Sequence, residues 1–195
     1  MTRTFIALDL SEAARATLHN DLRRLARGLP DVRFVDPASL HLTLAFLGEL
    51  DDEALAAVIA LAGEVARHAA PFELALAGLG VFGPTDAPRV IWAGVGGELR
   101  SLLALQRRLA DALVAEGFPR EQRPFSPHLT LARLKRPLDE AARQRLRALL
   151  GGPSTRPTRW RVADLRVMRS ELAATGARYT ALSVAPLAGG AGASR

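Results

Sequence analysis

The chain has 195 residues with a formal net charge of +6, and 49% of its residues are apolar. This is enough apolar material for a substantial core, but no apolar run approaches the roughly 20 residues that span a bilayer. Because there is no cysteine, disulfides, thiol catalysis and cysteine-ligated zinc are excluded, and we expect a cytoplasmic protein.

Apolar periodicity, caps and chain breakers predict the elements of the first half. The first element is a strand. It is followed by a helix, which Ser11 caps, then by a short strand, and then by a strand that begins at His41. A helix with Asp51 at its start and two further strands complete this half. The predicted ranges are 3–9, 12–27, 32–34, 41–47, 51–69, 72–76 and 79–82.

The second half repeats this succession of elements. Strands are predicted over residues 89–95, 128–134, 160–163, 165–170 and 178–185, and helices over 98–116 and 138–150. Residues 187–195 are rich in Gly and Ala, so we expect them to form a flexible tail.

One stretch of sequence occurs twice. Residues 37–47 and 124–134 are identical at eight of eleven aligned positions. Each copy contains His-Leu-Thr-Leu, and strand alternation turns the His and Thr to one face and the leucines to the other. Packing requires only the leucines, so the repeated polar side chains indicate a chemical role.

The repeat is longer than this motif, covering about residues 3–87 and 89–185, and the strand at 178–185 is an additional copy of the opening strand. The extra strand implies that the halves exchange strands, so that the strand at 89–95 completes one sheet and the terminal strands complete the other. We expect an α+β fold of two pseudo-symmetric lobes, each an antiparallel sheet with helices packed outside, in one domain over residues 1–186. The histidine strands would line a cleft between the lobes, where small-molecule sites are usually found.

Charge is distributed unevenly along the chain. Residues 1–87 carry 7 arginines and 12 acidic residues, a net charge of −5, whereas residues 88–195 carry 19 basic and 8 acidic residues, a net charge of +11. A basic half is typical of polyanion binding, because contacts to phosphates release counterions. Arginine is abundant throughout, however, so charge alone leaves RNA binding open.

Two imidazoles that face one cleft can serve as acid and base, since an unperturbed imidazole titrates near pH 6.5. In-line displacement at phosphorus needs one group to take a proton from the incoming oxygen and another to protonate the departing oxygen. The threonine hydroxyls can donate to non-bridging phosphate oxygens. These strands bring no carboxylate within reach of the histidines, so we expect no metal and no other cofactor. The symmetry of the motifs leaves open which histidine is the acid.

The motifs His41-Leu-Thr-Leu and His128-Leu-Thr-Leu resemble those of the two-histidine phosphoesterase superfamily. Their flanking residues, and Phe-Ile-Ala-Leu-Asp at residues 5–9, are similar to the branch of RNA 2′,3′-cyclic phosphodiesterases, the LigT-like proteins also called 2′-5′ RNA ligases. The resemblance covers about residues 3–185. It implies metal-independent hydrolysis of a 2′,3′-cyclic phosphate at an RNA end to a 2′-phosphate. Run in reverse with a 5′-hydroxyl, the same chemistry would form a 2′-5′ linkage.

The resemblance also implies a role for each motif residue. His128 would be the general base that activates water, and His41 the general acid that protonates the departing 3′ oxygen. Thr43 and Thr130 would hold the phosphate.

Further candidates for substrate binding lie near the motifs. Arg133 could bind phosphate, although strand alternation places it with the leucines, and Phe5, Phe46 or Phe125 could stack on a terminal base. We expect a monomer that acts on RNA ends, such as those of tRNA fragments, or on cyclic nucleotides, with no membrane partner.

Two alternatives remain open from the sequence. One is a phosphodiesterase for small cyclic nucleotides that never meets polymeric RNA, and the other is a non-catalytic module that binds RNA ends. Comparing a cyclic mononucleotide with an oligonucleotide that has the same end distinguishes the first, and turnover by the wild type excludes the second.

Overall fold

The computed structural model describes residues 1–84, 86–151, 158–173 and 176–189. Within these residues the strands are β1 (Thr2–Leu8), β2 (Leu42–Leu50), β3 (Phe72–Phe82), β4 (Val90–Gly97), β5 (His128–Arg133), β6 (Arg159–Val162), β7 (Asp164–Ala173) and β8 (Gly176–Pro186). The helices are α1 (Glu12–Gly28), α2 (Asp52–Arg67), α3 (Leu99–Ala115) and α4 (Glu140–Leu150), and a 3-10 turn covers Pro37–Ser39.

The strands form two antiparallel sheets of four strands each. Sheet A has the order β2-β1-β7-β8, and sheet B has the order β5-β4-β3-β6. Sheet A therefore combines the first two strands of the chain with the last two, and sheet B contains the four strands between them. This confirms the exchange of strands predicted from the extra terminal strand, and with it the two-lobed α+β fold.

Side-chain caps fix where three of the helices begin. The side chains of Ser11, Asp51 and Asp139 accept hydrogen bonds from the backbone N–H groups of Ala14, Ala54 and Ala142. Each cap satisfies a backbone donor that the first helical turn leaves free. In the assembled fold, α2 packs against β7 and β8 of sheet A, while α3 and α4 contact β3 of sheet B.

Each sheet buries one face under the helices and leaves the other face more open. Leu42 and Leu44 of β2 are 1% and 4% exposed, and Leu129 and Leu131 of β5 are fully buried. Burial of one such leucine stabilises the fold by about 1.5–3 kcal/mol. The histidines and threonines of both motifs are only partly buried, which confirms the predicted alternation and places the four polar side chains on the open faces.

The structure corrects the predictions for three segments. The strands predicted at 72–76 and 79–82 are one strand, β3, which continues through a bulge where Gly78 has a positive φ of 66°. The strand predicted at 32–34 is reduced to a single bridge between Phe34 and Ala132.

The third correction concerns the end of the chain. The prediction of a flexible tail is wrong for residues 187–189, because Leu187 is 6% exposed and donates its N–H to the carbonyl of Ala163. Gly189 donates to the carbonyl of Ala69, at the end of α2. Residues 190–195 lie outside the described residues.

Candidate active site

The two motif strands lie at the edges where the sheets meet. β2 is an outer strand of sheet A, β5 is an outer strand of sheet B, and the two strands contact each other. The segment leading to the first motif also pairs with the second motif, since Val35 donates its N–H to the carbonyl of Leu131 over 2.9 Å. Residues that lie 87 positions apart in the sequence are therefore carried by neighbouring strands.

Both histidines have the same orientation within their motifs. The Nδ1 atom of His41 lies 2.8 Å from the carbonyl oxygen of Ser39, and that of His128 lies 2.7 Å from the carbonyl oxygen of Ser126. A carbonyl oxygen only accepts, so Nδ1 carries the proton and donates in both contacts. Nε2 is then the nitrogen of each imidazole that is available for proton transfer.

A β-bulge occurs at the same position in both motifs. In β2, Thr43 lies opposite Ala7 and Ala45 lies opposite Ile6, which leaves Leu44 as the extra residue. In β5, the extra residue is Leu131, because Thr130 lies opposite Trp92 and Ala132 lies opposite Ile91. A bulge interrupts the strict alternation of faces beyond it.

This bulge changes the face on which Arg133 lies. Leu131 and Ala132 are both fully buried, and Arg133 is exposed, on the side of His128 and Thr130. The expectation that Arg133 lies with the leucines is therefore wrong. Phe46 holds the equivalent position in the first motif and is 68% exposed.

Aromatic rings surround the imidazole of His41. The ring of Phe5 lies 4.7 Å from it, and the ring of Tyr179 meets it edge-on at 4.9 Å. Phe5 is only 2% exposed, so its ring is not accessible to a nucleotide base and the prediction of base stacking by Phe5 is wrong. The ring instead packs against the histidine, as a wall of the site.

The imidazole of His128 also has a close aromatic neighbour. The ring of Phe82 meets it edge-on at 4.8 Å and contacts the ring of Trp92 at 5.3 Å. A Cβ at Gly80 would come within 2.2 Å of the Trp92 ring, so glycine leaves the room that this indole occupies. Phe125, another predicted stacking residue, is partly buried against the core.

Arg15 of α1 fixes the segment that carries His41. Its Nη1 donates to the carbonyl oxygens of Pro37, Ala38 and Leu40 over 2.9, 3.1 and 3.1 Å. Its Nη2 forms an ion pair with Asp9, which also pairs with Arg166. These bonds hold both sides of Ser39, whose carbonyl oxygen orients His41.

Burial lowers the pKa of His41 below its ordinary value. The hydrogen bond to Ser39 and the charge of Asp9 raise this pKa, and the charge of Arg15 lowers it, but desolvation of the imidazolium dominates. His41 in the free protein therefore holds a second proton less readily than an ordinary imidazole does.

Clusters of metal-ligating side chains and helices that could span a membrane are both absent from the part of the chain that the structure describes. There, no group of three or more histidine, aspartate or glutamate side chains is placed to hold a metal ion. Of the helices in those residues, none is long and apolar enough to cross a membrane.

Sequence reasoning missed Tyr179, Phe82 and Arg15. Tyr179 is the single tyrosine of the chain, and its predicted strand gave no indication that it reaches His41. The sequence predicts a strand at Phe82 but does not indicate which side chains contact it. Arg15 lies in a helix among many arginines, so its sequence position carries no signal of its contacts.

Comparison with known proteins gives one consistent result. The family model of the 2′-5′ RNA ligase superfamily matches residues 10–173. A protein named RNA 2′,3′-cyclic phosphodiesterase from Methanothermobacter thermautotrophicus is 34% identical over 93% of this chain and 97% of its own length. The crystal structure of TT0787 of Thermus thermophilus is similar with a TM-score of 0.77, 34% identity and coverage of 96% of this chain and 98% of that one. Escherichia coli LigT complexed with 3′-AMP is similar with a TM-score of 0.76 and 28% identity, over 95% of this chain and 98% of that one.

Proposed function

The chain belongs to the 2′-5′ RNA ligase superfamily, and on this basis we propose that it hydrolyses 2′,3′-cyclic phosphates at RNA ends to 2′-phosphomonoesters. The name of the Methanothermobacter relative supports this activity. The observation that carries the proposal is the pair of His-x-Thr motifs on contacting edge strands, each with its Nδ1–H bonded and its Nε2 available.

His128 acts as the general base. Its neutral Nε2 accepts a proton from a water molecule as the water oxygen attacks phosphorus on the side opposite the 3′ oxygen. The hydrogen bond from Nδ1–H to the Ser126 carbonyl keeps the tautomer that leaves Nε2 unprotonated.

His41 acts as the general acid. When the bond between phosphorus and the 3′ oxygen breaks, Nε2–H of the imidazolium gives its proton to that oxygen, which leaves a 3′-hydroxyl and a 2′-phosphate. Burial lowers the pKa of His41 in the free protein, which makes the imidazolium a stronger acid. The negative phosphate favours the protonated form on binding, so the substrate itself charges the acid.

Three side chains stabilise the charge that develops on the phosphate. The hydroxyls of Thr43 and Thr130 follow their histidines on the same strand faces and donate to the non-bridging oxygens. The guanidinium of Arg133, which the bulge at Leu131 turns to this face, adds a full positive charge and two parallel donors.

Phe46 stacks on the terminal base. Its ring is 68% exposed and shares a face with Phe5, which contacts His41. Phe46 and residues 119–123 line a groove of about 310 Å³. One exposed aromatic ring accepts any base, because every base has a flat face.

Analysis of the product of an oligonucleotide with a 2′,3′-cyclic end tests the proposed reaction. We expect a 2′-phosphate and a free 3′-hydroxyl. A 3′-phosphate would place the acid beside the 2′ oxygen instead and would contradict the assignment. Activity only on a cyclic mononucleotide would favour the small-nucleotide alternative, and absence of turnover would favour a binding module.

A substrate with sulfur in place of the 3′ bridging oxygen separates the two histidines. A thiolate departs without protonation, so this substrate should restore most of the activity that His41→Ala loses and none of that lost in His128→Ala. Each substitution should lower kcat on the normal substrate by about 10²–10⁴-fold. Equal rescue of both variants would contradict the division of roles.

Further parts of the proposal have their own tests. We infer that catalysis needs no metal, so activity should persist after dialysis against EDTA. We also infer that the protein is a monomer and that it is cytoplasmic. Light scattering would measure its molar mass in solution and so test the monomer. With a 5′-hydroxyl acceptor the same groups would form a 2′-5′ linkage, and bulk water makes hydrolysis the net direction.

A further inference from the structure

The pairing of strands in sheet B extends the face of His128 across the sheet. His128 of β5 lies opposite Gly94 of β4. Gly96, two residues further along β4, lies opposite Ala75 of β3. Ala75 in turn lies opposite Arg159 of β6. Opposed residues share a face, and so do residues two apart on one strand. Arg159 therefore lies on the same face as His128, at the far edge of the sheet.

Arg161 belongs to this face as well. It follows Arg159 by two residues on β6, and both arginines are exposed. Trp160 and Val162, which alternate with them, are 3% and 2% exposed in the core. The two guanidinium groups therefore rise from the open side of sheet B and not from its helix-covered side.

Small residues cover the surface between His128 and the arginines. Gly94, Gly96, Ala75 and Ala77 form this floor, in which no side chain is larger than a methyl group. A Cβ at Gly94 would come within 2.2 Å of the carbonyl oxygen of Ala77, so the bulge in β3 requires glycine there. These four residues therefore form a shallow path without projecting side chains across the open face of sheet B. The path runs beside the indole of Trp92, which covers Gly80.

Sheet A differs in its electrostatics. Arg166 of β7 lies on the face of sheet A that carries Thr43. It lies opposite Ala7 of β1, and Ala7 lies opposite Thr43 of β2. Arg166 forms ion pairs with both Asp9 and Asp164. Its charge is thus compensated within the protein, whereas Arg159 and Arg161 face solvent.

We propose that the RNA strand upstream of the cyclic phosphate leaves the active site across sheet B, over the small-residue floor, and that Arg159 and Arg161 bind its backbone phosphates. The proposal rests on the proposed function and adds the part of the substrate that distinguishes an RNA end from a cyclic mononucleotide.

The distance from His128 to the arginines and the charge around each arginine determine which ligands this path can bind. Three inter-strand steps of about 4.8 Å separate β6 from β5, about 14 Å in all, so a mononucleotide held at His128 does not reach the arginines. Glu73 lies opposite Arg161 and offsets part of its charge. Arg159 therefore contributes more to RNA binding than Arg161.

Kinetics on two substrates test the proposal. The variants are Arg159→Gln, Arg161→Gln and the double variant, with an oligonucleotide and a mononucleotide that carry the same 2′,3′-cyclic end. Each phosphate contact to a single strand contributes about 0.7 to the slope of log affinity against log salt concentration. This corresponds to about fivefold in affinity near 0.1 M salt. We expect the double variant to raise KM for the oligonucleotide by about fivefold or more and to flatten its salt dependence, with kcat and both mononucleotide constants unchanged. Arg159→Gln should have the larger single effect.

A matched control and a binding assay complete the design. Arg107→Gln removes one exposed charge from α3, on the helix side, and should leave KM for the oligonucleotide within twofold. Fluorescence anisotropy with a labelled oligonucleotide ending in a 2′-phosphate measures affinity without turnover, so a failure of the proposed reaction is seen separately. An unchanged oligonucleotide KM and affinity in the double variant, or an equal rise of KM for both substrates, would overturn the proposal.

Discussion

The phenol ring of Tyr179 meets the imidazole of His41 edge-on, with ring centroids 4.9 Å apart at an interplanar angle of 85°. Tyr179 belongs to β8, at the opposite edge of sheet A from β2, so the contact spans the sheet. The same ring also packs edge-on against Phe5, at 5.1 Å. His41 is thus held between two aromatic rings as well as by its hydrogen bond to Ser39.

The contact between Tyr179 and His41 predicts that two substitutions at Tyr179 have different effects on kcat. Tyr179→Phe keeps the ring and should retain most of the wild-type kcat, whereas Tyr179→Leu should lower kcat by up to about tenfold, since such ring pairs contribute about 0.5–1.5 kcal/mol. Steady-state kinetics on a 2′,3′-cyclic oligonucleotide measures both. A large loss in Tyr179→Phe would show instead that the hydroxyl contacts the substrate.

Arg15 is expected to position His41 without touching the substrate. Arg15→Met removes the three hydrogen bonds from Nη1 to the carbonyls of Pro37, Ala38 and Leu40, so the segment before His41 should lose its fixed geometry. We expect kcat to fall by about 10–100-fold with little change in KM, and Arg15→Lys to restore part of it. The substrate with 3′ bridging sulfur should also restore activity, because it does not need the acid.

A control on the same helix is available for this prediction. Arg24 also ties α1 to a distant carbonyl, that of Leu149, over 3.0 Å. Arg24→Met should therefore change stability more than kcat. If both methionine variants lose kcat equally, the effect of Arg15 is general destabilisation and its positioning role is wrong.

Arg133 is expected to need its planar guanidinium as well as its charge. Arg133→Lys keeps a cation but loses the paired donors that match two phosphate oxygens, so kcat/KM should fall by about tenfold, and Arg133→Gln should cost more. Arg136→Gln removes an exposed charge shortly beyond β5 and serves as the control. Wild-type kcat/KM in Arg133→Gln would exclude phosphate binding by this residue.

The lowered pKa of His41 makes stability depend on pH. Burial holds this pKa below the value of 6.5 expected for the unfolded chain, so just below pH 6.5 the unfolded chain binds more protons than the folded one. The free energy of unfolding therefore rises with pH through this window and falls as the solution is acidified. His41→Asn, which keeps a donor near the Ser39 carbonyl, should show a smaller loss of stability between pH 7 and pH 5. Urea unfolding at several pH values measures this, and identical pH dependence in both proteins would argue against it.

Much of the fold was predictable from local sequence. Ser11, Asp51 and Asp139 cap helices as expected, because a cap is a contact between residues three positions apart. The leucines of both His-Leu-Thr-Leu motifs are buried as their alternation predicts. The duplicated motif also identified His41 and His128 as candidates, since packing gives no reason to repeat polar residues.

Other features depend on partners that the sequence does not specify. The face of Arg133 depends on a bulge, and a bulge is defined by the register against β4 and not by the residues of β5 alone. Phe5 is buried because β2 and β8 bring His41 and Tyr179 against it.

The sequence by itself therefore determined most of the elements, the exchange of strands between the sheets and the repeated histidines and threonines, all of which follow from local periodicity and internal repetition. Tertiary structure alone decided which side chains surround each histidine, that Arg15 holds the segment before His41, and that Arg159 shares a face with His128. The physical reason is that these relationships join strands and helices distant in the chain, whose register and packing are set by the whole core.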